Sequence, residues 1–436
     1  MNPVAIALNE SLKENPLVHS MLSKLGEKYY FPKGILTQTA EAKNKATKIN
    51  ATIGIAEEDN EPMHLASLKE QIQGVESKDI FPYAPPGGKL DLRQEWKEKI
   101  VFDNQSLHKE DISLPIVTNA ITHGLSVVAD LFCDENDRVV IPDKLWGNYK
   151  LLFETRKGAC ISNYSFFNEN NQFNDKGLED TISQSNEEKL IILLNFPNNP
   201  TGYTPSELEV KKIKNVLVEQ ANLGKKLLVL VDDAYFGLFY EDSNKESVFA
   251  ELINIHPNIL PVKLDGATKE EFAWGLRVGF ITFPFLGTKV NEALEKKIFG
   301  IIRSTISSGS HPSQSLVLQT LRSSNFRQEQ KDKFNVLQER AMEVKNILDN
   351  TSAYKEVWSY YPFNSGYFMC LKLHNLNAER LRMYLLEHYG VGTIAINETD
   401  LRIAFSCVEK SDLKNLFDII YEASVTLSRE KHEEWR

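Results

Sequence analysis

From about residue 114 onward the chain is a series of short apolar runs, at 114–117, 138–141, 159–164, 190–194, 227–231, 259–264 and 277–283. Most are continuous rather than alternating, the pattern of strands covered on both faces. Several are separated by stretches of helical period. One of these carries a start signal: Thr204-Pro205-Ser206-Glu207 reads as a capping box with proline at the first helical position, followed by Val210, Ile213 and Leu217 on one face. Strands alternating with helices predict an α/β domain with a mainly parallel sheet. Upstream, Leu17, Met21 and Leu25 predict a helix over 17–27, and Phe31-Pro32-Lys33-Gly34 breaks the pattern. After about Ser304 the strand rhythm stops. Helices are expected over 314–322 and 328–348, then apolar runs at 366–373 and 401–405, then a helix from about Asp412. This part predicts a smaller α+β domain. The expected division is a large α/β domain over 66–324, with the small domain built from 1–65 and 325–436.

Composition narrows the function. Hydrophobic residues make up 42% and charged residues 25%, an ordinary globular mix. The formal net charge of −10 gives no electrostatic footprint for nucleic acid or an anionic membrane. A small anionic ligand must therefore be held by local positive charge. The four cysteines are far apart and form no C-x-x-C pair, as in a reducing compartment. No window approaches the ~20 apolar residues of a membrane helix, and Met1 to Pro16 lacks the pattern of a signal peptide. The expectation is a soluble cytoplasmic protein without a metal.

Ligands of open α/β sheets sit beyond the carboxyl ends of the strands. Five of these ends carry notable polar residues. After 190–194 comes Asn195-Phe196-Pro197-Asn198-Asn199-Pro200-Thr201-Gly202, a rigid turn able to aim an asparagine. After 227–231 comes Asp232-Asp233-Ala234-Tyr235, two acids that burial would make costly without a partner. After 259–264 comes Asp265-Gly266-Ala267-Thr268-Lys269, with Arg277 opening the next run. A lysine there becomes a nucleophile if burial or a cationic neighbour lowers its pKa. After 114–117, Ala120, Ile121 and Thr122 open a helix whose N–H groups could cradle a phosphate. After 138–141, Trp146 could stack on a planar ring. Singly, these are also a turn, a helix cap, a surface lysine, a structural helix start and a core tryptophan.

In this order and spacing, Asn-Pro-Thr-Gly, Asp-x-Ala-Tyr and Thr-Lys-x₇-Arg-x-Gly resemble the class I/II aminotransferases of fold type I, the aspartate aminotransferase family. The resemblance runs from about Ile49 to Phe405. It implies a fold-type I architecture, a seven-stranded mainly parallel sheet in the large domain plus the smaller α+β domain, and pyridoxal 5'-phosphate as cofactor. It implies Lys269 as the Schiff-base lysine and proton carrier, and Asp232 as the acid pairing with the pyridinium nitrogen, which keeps the ring an electron sink. Asn199 and Tyr235 match the donors to the phenolate oxygen, and Trp146 matches the aromatic stacked on the ring. Arg277, Thr122 and Thr268, with backbone at Ala120 and Ile121, match the phosphate cup. Tyr83 matches a tyrosine reaching the neighbouring subunit's phosphate. Arg402 matches the arginine that forks onto the substrate α-carboxylate, with the Gly54 backbone beside it.

The chain departs from the family in three places. Gly266-Ala267-Thr268-Lys269 lacks the first serine of Ser-x-Ser-Lys, Ala120 stands where many relatives have serine or glycine, and Tyr149 replaces a histidine supporting the pyridinium acid. Arg303 falls where aspartate enzymes place the arginine for the distal carboxylate, donated across a dimer; its other reading is a surface arginine. The resemblance thus implies a homodimer with shared active sites, moving an amino group from an L-amino acid to a 2-oxo acid, with dicarboxylic substrates such as aspartate and glutamate if Arg303 takes that role. A lyase or decarboxylase of the same fold is the alternative, and a non-catalytic ligand sensor a remote one.

Overall fold

The computed structural model describes residues 1–31 and 34–433. The seven apolar runs form one sheet, with strands β1 (Ile116–Asn119), β2 (Arg138–Pro142), β3 (Cys160–Tyr164), β4 (Lys189–Asn195), β5 (Lys226–Asp232), β6 (Ile259–Gly266) and β7 (Val278–Thr282). Their spatial order is β1-β7-β6-β5-β4-β2-β3. β7 is antiparallel to both neighbours, and the remaining pairs are parallel. The continuous apolar pattern has a direct cause. Leu190, Ile192 and Leu194 enter one core with Leu227, Val229 and Val231. Ile191, Leu193, Leu228 and Leu230 enter a second core on the other face. Successive side chains point to opposite faces, so a sheet covered on both sides needs an apolar residue at every position.

A second sheet, antiparallel throughout, has strands β8 (Trp358–Tyr360), β9 (Phe368–Leu373), β10 (Ile394–Ala395) and β11 (Asp400–Ala404) in the order β8-β9-β11-β10. Helices Phe326–Asn350 and Leu413–Glu433 cover it, with Leu337, Val344 and Ile347 meeting Leu416, Phe417 and Ile420 in one core. The N-terminal segment joins this layer: Ile49 pairs in parallel with Val391, and the Gln38 amide both donates to and accepts from the Ala395 backbone. Gln38 thereby fastens the helix Ile35–Lys45 to the β10 edge. Among the described residues, no helix is long and apolar enough to cross a membrane.

Two local expectations fail. The helix over 17–27 is two short helices, Pro16–Ser20 and Lys24–Lys28, and Leu17 and Met21 are exposed. Ser23 starts the second one by accepting from Gly26 N–H at 2.9 Å, so a side-chain cap interrupts the expected turn. The break expected at Phe31-Pro32-Lys33-Gly34 includes Pro32 and Lys33, which lie outside the described residues. The capping box is displaced by two residues. Helix Glu207–Asn222 is capped by Ser206, and Glu209 returns to the Ser206 N–H at 2.7 Å. Thr204 is engaged elsewhere, its hydroxyl 2.7 Å from that of Ser365.

Candidate active site

Parallel pairing of β4 with β5 sets Asn195 level with Asp232 at the carboxyl end of the sheet. β6 delivers Thr268 and Lys269 to the same end, and β7 starts there, directly after Arg277. Beyond these ends lies a cavity of about 380 Å³. Gly54, Ala120, Ile121, Thr122, Trp146, Asn199, Asp232, Tyr235, Thr268, Lys269, Arg277 and Arg402 all line it. Tyr83 and Arg303 do not. Tyr83 is 92% exposed, and Arg303 lies on the exposed side of helix Thr288–Thr305, where its guanidinium donates to the Ser307 hydroxyl.

Lys269 Nζ donates to the Gly54 carbonyl at 3.0 Å and lies 5.0 Å from the centre of the Tyr235 ring. Burial, together with Arg277 and Arg402, lowers its ammonium to about 7. Near neutral pH a large fraction of this amine is therefore unprotonated and nucleophilic. Asp232 is buried. Its Oδ2 accepts from the Tyr149 hydroxyl at 2.5 Å, and its Oδ1 accepts from Ala234 N–H at 3.0 Å. Burial raises its carboxyl to about 6 against the pull of those donors. Asn195 supports both neighbours: its Nδ2 donates to the Asp232 carbonyl at 3.0 Å and its Oδ1 accepts from Asn199 N–H at 2.9 Å.

Arg402 is buried with its guanidinium carbon 4.1 Å from the centre of the Phe368 ring. Its Nη1 donates to Asn199 Oδ1 at 3.2 Å and its Nη2 to the Thr52 carbonyl at 2.9 Å. Two buried polar atoms of the wall, Arg402 Nε and Thr268 Oγ1, have no protein partner. A buried group without a hydrogen bond is costly, so both atoms call for a ligand acceptor.

Around Thr268 the wall has the chemistry of a phosphate cup. Helix Ala120–Phe132 begins here, with Ala120 in the left-handed region at φ 64°. Thr122 and the Arg277 guanidinium face the same cavity. N–H groups of a first helical turn, hydroxyls and an arginine are the donor set that suits a phosphate. Gly279 lets β7 pass close to this turn, since a Cβ there would lie 2.6 Å from the Ala120 carbonyl carbon and 2.8 Å from Ile121 N. The cavity therefore fits an anionic group at one end. The buried Asp232 carboxylate, the Trp146 ring and Lys269 line the same cavity.

The sequence left several wall residues unnoticed. Ile35, Leu36 and Thr39 come from the helix fastened by Gln38, and Ile53 and Phe368 complete an apolar side. That helix is mostly polar, so no periodic signal marks it. Tyr149 was legible only as a departure; it stands in the short helix Asn148–Lys150 just after Trp146, and the two rings meet edge-on at 5.4 Å.

Comparison with known proteins agrees with this geometry. The family model "Aminotransferase class I and II" matches residues 46–420. The chain belongs to that family. It is 24% identical over 339 residues to the probable aspartate/prephenate aminotransferase of Aquifex aeolicus, covering 76% of this chain and 80% of that relative. It is 24% identical over 360 residues to the aspartate aminotransferase of Sulfurisphaera tokodaii, covering 80% and 84%. A crystal structure of an aminotransferase from Anaerococcus prevotii superposes with a TM-score of 0.83 at 22% identity, covering 93% of this chain and 99% of that one. The protein is thus a fold-type I, pyridoxal-phosphate-dependent aminotransferase, acting on an amino acid and a 2-oxo acid.

Proposed function

We propose that Lys269 carries the cofactor and moves the substrate proton, and that Asp232 holds the pyridine nitrogen. The supporting observation is that one cavity joins a lysine lowered to about 7, a buried carboxylate and the unpartnered donors Thr268 Oγ1 and Arg402 Nε. Bound there, pyridoxal phosphate supplies an electron sink for the substrate carbon that loses its proton. Asn199 and Tyr235 would hold the ring oxygen and Trp146 the ring face. Ala120, Ile121, Thr122, Thr268 and Arg277 would hold the phosphate. Arg402 would fork onto the substrate α-carboxylate with the Gly54 backbone beside it. Lys269, its ammonium lowered to about 7, would accept a proton and return it. Borohydride reduction followed by peptide mass spectrometry should place the cofactor on Lys269, and cofactor fixed on another peptide would overturn the assignment.

We further propose dicarboxylic substrates, aspartate or glutamate, handled by a cytoplasmic homodimer in which Tyr83 and Arg303 act across the interface. Both side chains stand outside their own chain's cavity, as that role requires, and two relatives are named for aspartate. Arg303→Ala should reduce kcat/KM for aspartate by about 10²-fold or more and leave that for alanine within about threefold. Equal losses would refute the role. The apolar side formed by Ile35, Leu36, Ile53 and Phe368 supports a second reading, in which apolar amino acids are also accepted.

A further inference from the structure

Beside the cavity lies a buried ionic contact that touches neither the cofactor cup nor the substrate space. Lys144 follows β2 of the seven-stranded sheet, two residues before Trp146. Asp400 opens β11 of the four-stranded sheet, two residues before Arg402. Lys144 Nζ lies 2.7 Å from Asp400 Oδ2, and both residues are buried. Tyr361 closes the group: its hydroxyl donates to Asp400 Oδ1 at 3.0 Å, and its ring centre lies 4.8 Å from Lys144 Nζ. Asn397 Nδ2 donates to Asp400 Oδ2 at 2.8 Å. Asp143 is the other charged group near Lys144, at 3.4 Å.

The contact is placed where it can set the site. Residues two apart on a strand point to the same face, so Asp400 and Arg402 leave β11 side by side. Arg402 reaches Asn199, and Asp400 reaches Lys144. On the opposite side, the Lys144 carbonyl accepts from Asn198 Nδ2 at 3.1 Å, which ties the Trp146 loop to the turn bearing Asn199. Arg402 keeps its Nε free for a carboxylate while Nη1 and Nη2 bond to Asn199 and Thr52. The Lys144–Asp400 contact lies outside the cavity. A buried ion pair contributes little net stability compared with well-packed apolar residues, but its geometry is directional. Such a pair is better suited to fixing register than to strengthening the fold.

We propose that Lys144 and Asp400 are a positioning pair: they hold β11, and with it Arg402, in register with the loops carrying Trp146 and Asn199. The proposal rests on the reading of Arg402 as the carboxylate receptor. The pair acts through Arg402 and touches no substrate.

The test uses the holoenzyme and four variants: Lys144→Met/Asp400→Leu together, Lys144→Arg, Arg402→Ala, and the triple combination. The apolar pair avoids stranding one buried charge, so its thermal midpoint should match or exceed that of the parent. Its KM for the amino acid should rise about ten- to hundredfold, while kcat and the cofactor dissociation constant stay within about threefold. Lys144→Arg, which keeps the charge, should recover most of the affinity. In the Arg402→Ala background the apolar pair should add no further rise in KM. Unchanged KM in the apolar pair, or a rise that adds fully to that of Arg402→Ala, would overturn the positioning role while leaving the Arg402 assignment intact. If Arg402→Ala itself leaves KM unchanged, the carboxylate reading fails and the proposal with it. If the apolar pair does not fold, Tyr361→Phe, which removes a single donor to Asp400, serves in its place. It should raise KM by about two- to fivefold through the same dependence on Arg402, and no rise would overturn the proposal.

Discussion

Replacing Tyr149 with phenylalanine removes one hydroxyl and keeps the ring against Trp146. That hydroxyl donates to Asp232 Oδ2 at 2.5 Å, and the only other donor to the carboxylate oxygens among the described residues is Ala234 N–H at 3.0 Å. A hydrogen bond to a charged acceptor contributes about 1.5–3 kcal/mol. That range corresponds to a rise of about one to two in the Asp232 pKa, since 1.36 kcal/mol is one pKa unit. Burial has already placed Asp232 at about 6. At pH 7 its ionised fraction then falls from about nine-tenths to between about a half and a tenth. The assay is titration of the cofactor-free protein with pyridoxal phosphate, followed by absorbance, from pH 6 to 9. Tyr149→Phe should bind about two- to tenfold more weakly at pH 7 and match the parent by pH 9, where Asp232 is ionised in both. Profiles that coincide at every pH would refute the claim that this hydroxyl keeps Asp232 charged. A loss equally deep at pH 9 would show that the hydroxyl acts through packing.

Gly279→Ala should weaken cofactor binding by about 10²-fold or abolish it, because the new methyl would push the Ala120 turn out of the phosphate cup; calorimetric titration with pyridoxal phosphate measures this, and parent-like affinity would refute the close approach. Lys269→Met in the cofactor-free protein should be stabilising in a pH-dependent way. Lys269 is lowered from 10.5 to about 7, so the unfolded chain binds more protons between these values and parent stability rises with pH across that window. The gain from the substitution should be up to about 5 kcal/mol below pH 7, about 2 kcal/mol at pH 9, and lost above about 10.5. A pH-independent gain, read by calorimetry, would contradict the lowered pKa.

The strands of the main sheet were legible because burial on both faces demands an apolar residue at every step, a rule local enough to see in 190–194 or 227–231. The site was legible for a related reason. Asp232 ends its strand, Asn199 and Lys269 come within four residues after theirs, and Arg277 immediately precedes its own, so strand ends fix where each side chain stands. Contacts that join distant segments left no such trace. Nothing near Asp400 announces Lys144, and nothing in the polar helix Ile35–Lys45 announces that Ile35, Leu36 and Thr39 face the ligand space. The misplaced cap has the same origin. Thr204 is a competent N-cap by chemistry, but Ser365 engages its hydroxyl, and only the folded chain shows that competition.

The antiparallel strand β7 has a consequence for the distance between the reactive amine and the phosphate anchor. Because β7 runs back beside β6, Lys269 and Arg277 both lie in the connection 267–277, at the same end of the sheet. A parallel strand would instead start at the far end of the sheet, and its first residue would stand away from Lys269. Glycines at 266 and 279 let the two backbones close up, for a Cβ on Gly266 would lie 2.7 Å from the Gly279 Cα. Lysine and arginine thus belong to a single hairpin connection, and the reactive amine and the phosphate anchor are placed by the same pair of strands.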